Sequence, residues 1–127
     1  MALKILSIDD DPSITKLIRI LLGIYGMEVL TANTGREGLA LVRSESPDLV
    51  LLDIMMPEMN GWEVCQAIRS FSDVPIIAFS ALGSPQEVEK ALRMGFNDFL
   101  EKPSSAEILV ERIQKLTTKK PDFPPPA

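Results

Sequence analysis

Asp48-Leu49-Val50-Leu51-Leu52-Asp53 is the stretch on which the fold turns. Its consecutive aliphatic residues leave no polar face, so it reads as a strand over 48–52 covered on both sides. Pro47 interrupts the chain before it, and Asp53 ends it with a carboxylate. Strands of this kind belong to parallel sheets that carry helices above and below.

Upstream, Lys4–Ile8 is a short apolar run followed by Asp9-Asp10-Asp11-Pro12. Asp11 is predicted to cap a helix, and Pro12 to take its first position, where a missing N–H costs nothing. Ile14, Leu17, Ile18, Leu21 and Leu22 then recur at helical spacing, and Gly23 and Gly26 bracket the exit. Glu28–Ala32 is a second strand. Thr34-Gly35-Arg36-Glu37 has the spacing of a capping box, and Leu39, Leu41 and Val42 give the next helix its apolar side.

Downstream, a loop over 54–60 leads to a helix over 61–70, and Pro75 leads to a strand over 76–79. Ser84-Pro85-Gln86-Glu87 combines a cap, a first-position proline and a box glutamate. Asp98–Glu101 is a fifth strand. Ser104-Ser105-Ala106-Glu107 opens a fifth helix that runs to about Thr117. The order predicts an α/β three-layer sandwich in which five parallel strands alternate with five helices through right-handed crossovers.

At 127 residues the chain fits one domain, assigned to 1–118, with 119–127 as a Pro-rich tail or truncated linker. Hydrophobic residues make up 46%, enough for a real core, and the net charge of -5 argues against direct nucleic-acid contact. No apolar run approaches a membrane span of about 18 residues. Met1-Ala2-Leu3-Lys4 runs straight into the first strand without a signal peptide, so a cytoplasmic location is expected. Cys65 is the sole cysteine and reads as a buried or half-buried thiol on a helix. The absence of histidine removes Ser-His-Asp, Cys-His and His-ligated zinc chemistry together.

The chemistry lies where strands end. Asp9 and Asp10 follow the first strand, Asp53 the third, Ser80 the fourth and Lys102 the fifth. In a sheet of order 2-1-3-4-5 the first and third strands are neighbours, so the three carboxylates meet at the switch point where such sheets bind ligands. Crowded carboxylates repel one another, and one lysine cannot balance three of them. A hard cation with oxygen ligands, of the magnesium type, supplies the remainder. A carboxylate is also a nucleophile toward phosphorus, and Asp53, ending the most apolar strand, is the best candidate. Ser80 and the backbone N–H groups after Asp53 (Ile54, Met55) and near Ala81 could serve phosphoryl oxygens. Singly, each feature has an ordinary reading: an Asp before a helix is a cap, the role given to Asp11, and Lys102-Pro103 alone means little. Their placement at the ends of successive strands points to function.

Taken in order, Ile8-Asp9-Asp10-Asp11-Pro12, Leu51-Leu52-Asp53-Ile54-Met55-Met56-Pro57-Glu58-Met59-Asn60-Gly61, Phe79-Ser80-Ala81 and Lys102-Pro103 resemble the receiver domain of bacterial two-component response regulators, the family that includes the chemotaxis regulator. The resemblance covers about residues 3–118 and implies a flavodoxin-like fold. It implies a phosphorylated aspartate at Asp53, with Mg2+ (or Mn2+) held by Asp10, Asp53 and the Met55 carbonyl, and by Asp9 through water. Ser80 and Phe99 fall on switch positions, and Lys102 on the site lysine, whose bond to Pro103 is often cis in the family. The implied donor is a phosphohistidine on a sensor histidine kinase or phosphotransfer protein, or a small acyl phosphate. The output would be a partner protein or a fused domain, reached through the face formed by the fourth helix, fifth strand and fifth helix.

This sequence departs from the family's pattern in two places. Met55 and Leu82 border the path of the hydrolytic water where polar groups could orient it, so slow autodephosphorylation is expected. Val88 and Ile108 replace a usual charged pair on the output face. Asp98 and Arg112 match another such pair, and read either as a bridge in a phosphorylation-linked homodimer or as a simple surface pair. Separately, Ile14, Leu17, Ile18, Leu21 and Leu22 exceed what a narrow core stripe holds, so part of the first helix is expected to offer an exposed apolar contact; the resemblance implies that kinases meet that helix and the loop after the fifth strand. Two rival chemistries fit poorly. A haloacid-dehalogenase-type phosphatase wants an Asp where Met55 stands, and a mononucleotide binder wants a small-residue phosphate loop where Asp9-Asp10-Asp11 would repel the ligand. A third reading is a domain of the same shape that works by interaction without phosphorylation.

Overall fold

A computed structural model of the protein describes residues 2–81, 83–102 and 104–117. Leu82, the bond into Pro103 and the tail at 119–127 lie outside them. Ten elements alternate: β1 (Lys4–Ile8), α1 (Pro12–Ile24), β2 (Glu28–Ala32), α2 (Gly35–Glu45), β3 (Leu49–Leu52), α3 (Gly61–Arg69), β4 (Ile76–Ser80), α4 (Pro85–Met94), β5 (Asp98–Glu101) and α5 (Ala106–Thr117). The strands form one parallel sheet in the order β2-β1-β3-β4-β5.

The caps start the helices where the residues dictate. Asp11 accepts from the Ser13 N–H, Thr34 from Glu37 and Ser84 from Glu87. The glutamate of the second helix returns its bond to the Asn33 N–H, one residue upstream of the position a closed box would use. A fully reciprocal box forms instead at Asn60 and Glu63. Four predicted boundaries move by a residue or two. Asp48 stands just before β3, where its side chain and not a backbone carbonyl accepts from the Lys4 N–H. β4 continues through Ser80, which pairs with Glu101. Ser70 caps α3, and Ser105 accepts from the Ile108 N–H in front of α5.

Two apolar layers sandwich the sheet. One joins Ile8, Val50, Leu52, Val64, Ile68 and Ala91 beneath α2, α3 and α4. The other joins Ile5, Leu22, Leu51, Ile77, Leu109 and Ile113 beneath α1 and α5. All four residues of β3 are buried, as a strand at the centre of a two-faced sheet requires. On α1, Thr15, Ile18 and Leu22 face inward, whereas Leu17, Ile20 and Ile24 stay exposed. The Cys65 thiol is buried, and burial pushes its pKa up, which makes it unreactive.

Candidate functional site: an acidic pocket at the strand ends

β1 and β3 pair directly, with Ile8 opposite Leu52, so the residues that follow them emerge side by side. Carboxylate oxygens from Asp9, Asp10 and Asp53 lie within 4.8 Å of one another. Asp9 and Asp53 are only 2% and 5% exposed, so their charge is held largely out of water, while Asp10 faces solvent. Lys102 reaches in from the end of β5. Its Nζ donates to Asp9 Oδ2 at 2.6 Å and stands 3.5 Å from Asp53 Oδ1. The Lys102 N–H bonds to the Ser80 carbonyl at 2.8 Å, which fixes the lysine's root to β4.

Electrostatics set the character of the pocket. Burial, reinforced by the charge of Asp9, pushes Asp53 up to about 6, against the opposing pull of Lys102. For Lys102, burial works to lower the pKa, but the hydrogen bond and charge of Asp9, with the charge of Asp53, outweigh it and hold the ammonium above its ordinary value. The lysine is therefore a fixed positive charge, and the carboxylates still outnumber it. Three carboxylate oxygens, without nitrogen or sulfur donors, suit a hard divalent cation.

Local structure aims each group. The Met55 N–H donates to Asp53 Oδ1 at 3.3 Å, and the Asp11 N–H to Asp9 Oδ1 at 3.0 Å. Gly61 starts α3 directly against the site: a Cβ there would fall on the Asp53 carbonyl oxygen and the Ile54 backbone. Ser80 is buried at the end of β4. Phe99 is half-buried, opposite Ala78 in the β4–β5 ladder, and packs on the layer beneath α3 and α4. Ile54 is buried, and Met55 is 59% exposed at the mouth. Ala81 is exposed beyond β4.

The structure thus gathers Asp9, Asp10, Asp53 and Lys102, with Ser80 at the end of the adjoining strand. Val88 and Ile108 lie apart from the pocket, half-buried on α4 and exposed on α5. Asp98 and Arg112 also lie apart, joined at 2.8 Å within the chain. Two residues absent from the sequence reading support the pocket. The Asn33 amide donates to the Asp9 carbonyl at 2.8 Å and to Thr15 Oγ1 at 3.2 Å, tying the ends of β1 and β2 to α1. A polar amide immediately after β2, beside the Asp-Asp pair of the neighbouring strand, was the available signal.

A doubly wound parallel sheet with an acidic, lysine-guarded pocket at its switch point defines the class: an α/β protein of the flavodoxin-like type. The chain belongs to the response regulator receiver domain family, whose model matches residues 5–114. It is 44% identical over 113 residues to a probable transcriptional regulator, ycf27, of Porphyra purpurea, covering 89% of this chain and 46% of that one. It is 37% identical over 124 residues to the DNA-binding response regulator MtrA of Mycolicibacterium smegmatis, covering 98% and 54%. The chain spans about half the length of these curated relatives. Among solved structures, the receiver domain of Francisella response regulator 1452 matches with a TM-score of 0.87 at 31% identity, covering 91% of this chain and 97% of that one. Vibrio cholerae chemotaxis protein CheY4 matches with a TM-score of 0.84 at 31% identity, covering 91% and 99%. Among the described residues, no helix is long and apolar enough to cross a membrane.

Proposed function

We propose that this receiver domain is a phosphorylation-dependent switch in which Asp53 accepts the phosphoryl group. The observation that carries the reading is the carboxylate triad within 4.8 Å, with Lys102 donating to Asp9 at 2.6 Å. The donor is a phosphohistidine of a sensor histidine kinase or phosphotransfer protein, or a small acyl phosphate. Asp10, Asp53 and the Met55 carbonyl, with Asp9 through water, would hold Mg2+, for which Mn2+ can substitute. The ion, when bound, supplies charge that stabilises the equatorial oxygens in transfer.

The chain's own groups do the rest. Asp53, whose backbone packs against the glycine that opens α3, presents an oxygen to phosphorus. Lys102 neutralises the phosphoryl charge, while Ser80 and the N–H groups of Ile54, Met55 and Ala81 donate to its oxygens. Ser80 moving toward the phosphoryl group leaves space for Phe99 to turn inward, which changes the face of α4, β5 and α5. A small apolar pocket of about 110 Å3 between α1 and α5, lined by Ile14, Leu17, Leu21, Ala106 and Leu109 with Lys102 at its edge, has room for one apolar side chain of a docked kinase. The output is a partner protein or a fused domain in a longer regulator, the working compartment is the cytoplasm, and this domain itself contacts no nucleic acid. On this reading residues 1–118 are the receiver unit, and 119–127 a Pro-rich tail or truncated linker.

Incubation with acetyl phosphate and magnesium, read by intact mass, is expected to add one phosphoryl group, absent from Asp53→Asn. A chain that stays unmodified, or a variant that gains the same mass, would end this reading in favour of a domain working by interaction alone.

A further inference from the structure

The helices α2 to α5 each carry a basic residue in their last turn: Arg43, Arg69, Arg93 and Lys115. A cation there meets the negative end of the helix dipole. α1 carries none. Its outer face is also uncovered. Leu17, Ile20 and Ile24 share the side turned away from the sheet, opposite Ile18 and Leu22. Ile20 is 52% exposed, Ile24 74% and the adjoining Tyr25 47%. Leu17 belongs to the small pocket beside Lys102, which leaves Ile20, Ile24 and Tyr25 as a separate patch at the far end of α1.

The chain itself supplies a segment that fits this patch. α1 and α5 both run from the carboxyl ends of the strands toward the amino ends, and both pack on the same face of the sheet. Leu116, in the last turn of α5, and Met27, just past α1, join one apolar layer. The described residues stop at Thr117, and residues 118–127 follow. Packed helix axes stand about 8–10 Å apart, a gap that about three extended residues span. Lys119 and Lys120 are thus within reach of the end of α1. Pro121, Phe123 and three further prolines come next, and proline-rich chain packs well on an aromatic ring such as Tyr25. The cavity around Phe71 suits this segment less. It lies on the opposite face of the sheet, beneath α2 and α3, and Arg43 already stacks 4.1 Å over its ring.

We propose that the chain after α5 folds across the end of α1. Lys119 and Lys120 supply the cations that its last turn lacks, and Phe123 with its flanking prolines covers Ile20, Ile24 and Tyr25. Ile14, Leu17 and Leu21 stay open beside Lys102. The contact needs no phosphoryl group, so it stands or falls separately from Asp53.

NMR of the full chain at two concentrations tests this. Nuclear Overhauser contacts are expected from the Phe123 ring to the side chains of Ile20, Ile24 and Tyr25. Phe123→Ser, which alters no described residue, should shift the methyl signals of Ile20 and Ile24 and leave those of Val50 and Leu52 in place. The Tyr25, Gly26 and Met27 N–H groups bond to the Leu22 and Gly23 carbonyls, and should exchange about fivefold faster in that variant. Ile24→Ser, at the most exposed position of the patch, should release Phe123 in the same way. Replacing both Lys119 and Lys120 with Gln should weaken the contacts by about half. Identical α1 spectra for wild type and Phe123→Ser would overturn the docking, and contacts indifferent to the lysine changes would overturn the role of charge. Contacts between differently labelled copies, lost on dilution, would assign the patch to a second molecule instead.

Discussion

Asp53 holds a charge that its surroundings resist. Its pKa of about 6 lies above the ordinary 3.8, first because it is buried and second because Asp9 is close. A carboxylate raised in the folded state binds its proton more tightly there than when unfolded. The metal-free protein is therefore penalised fully above pH 6, and the penalty fades as pH falls toward 4. Asp53→Asn removes it. Melting curves in chelator are expected to show the variant more stable at pH 7.5, by at most about 3 kcal/mol, with the advantage shrinking by pH 5. Magnesium should narrow the gap by stabilising wild type alone. A constant offset across that pH range would show that burial and Asp9 do not set the proton affinity. A second expectation concerns lifetime. Met55 lies at the mouth with no group to orient water. Replacing Met55 with Asn and Leu82 with Glu should speed phosphoaspartate loss about tenfold or more, the usual gain from a positioned polar group. Unchanged decay by mass spectrometry would sink it.

The elements differ in how they are held. β3 is buried on every residue and α3 begins against Asp53, so Gly61 tolerates no side chain without moving the site. Gly61→Ala is expected to lower stability by about 1–3 kcal/mol, the range for overpacking, and to reduce phosphoryl uptake with it; thermal melts and labelling together check this. α4 is the least buried helix, with Ala91 as its single buried residue. Its C-terminal turn is fastened by Arg69, which donates to the Gly95 carbonyl, the Ser72 carbonyl and Asn97 Oδ1. Arg69→Met should cost about 1–3 kcal/mol and raise hydrogen exchange at the α4–β5 turn before it does so at β3. Uniform protection would contradict that role. These particulars show what the chain spells out and what it conceals. Apolar runs and helix caps mark all ten elements, because each is a local pattern. The box at Asn60 and Glu63 is less legible, because it lacks the Ser or Thr that marks this motif in a sequence. Arg69 and Asn33 act across segments distant in sequence, which no spacing rule records.

The molecule as a whole presents two different faces beside one pocket. α1 leaves Leu17, Ile20 and Ile24 in solvent, as the surplus of apolar residues in that segment implied. On the opposite edge, Arg112 and Asp98 bond within the chain, so a dimer built on them must first break that pair. Val88 and Ile108 add no charge in exchange. Sedimentation of protein treated with acetyl phosphate and magnesium is therefore expected to show a monomer. A dimer abolished by Arg112→Ala would reverse that expectation. The meeting of Asp9, Asp10, Asp53 and Lys102 at the strand ends was legible because strand order converts sequence distance into adjacency. The proton affinity of Asp53 was not, since it depends on depth and on which neighbour the lysine favours.

That favour has its own corollary. At rest the ammonium of Lys102 sits on Asp9 and only leans toward Asp53. Two anions share one cation, so any charge gained at residue 53 must be won from residue 9. The strength of the older attachment then tunes how eagerly the newer one forms.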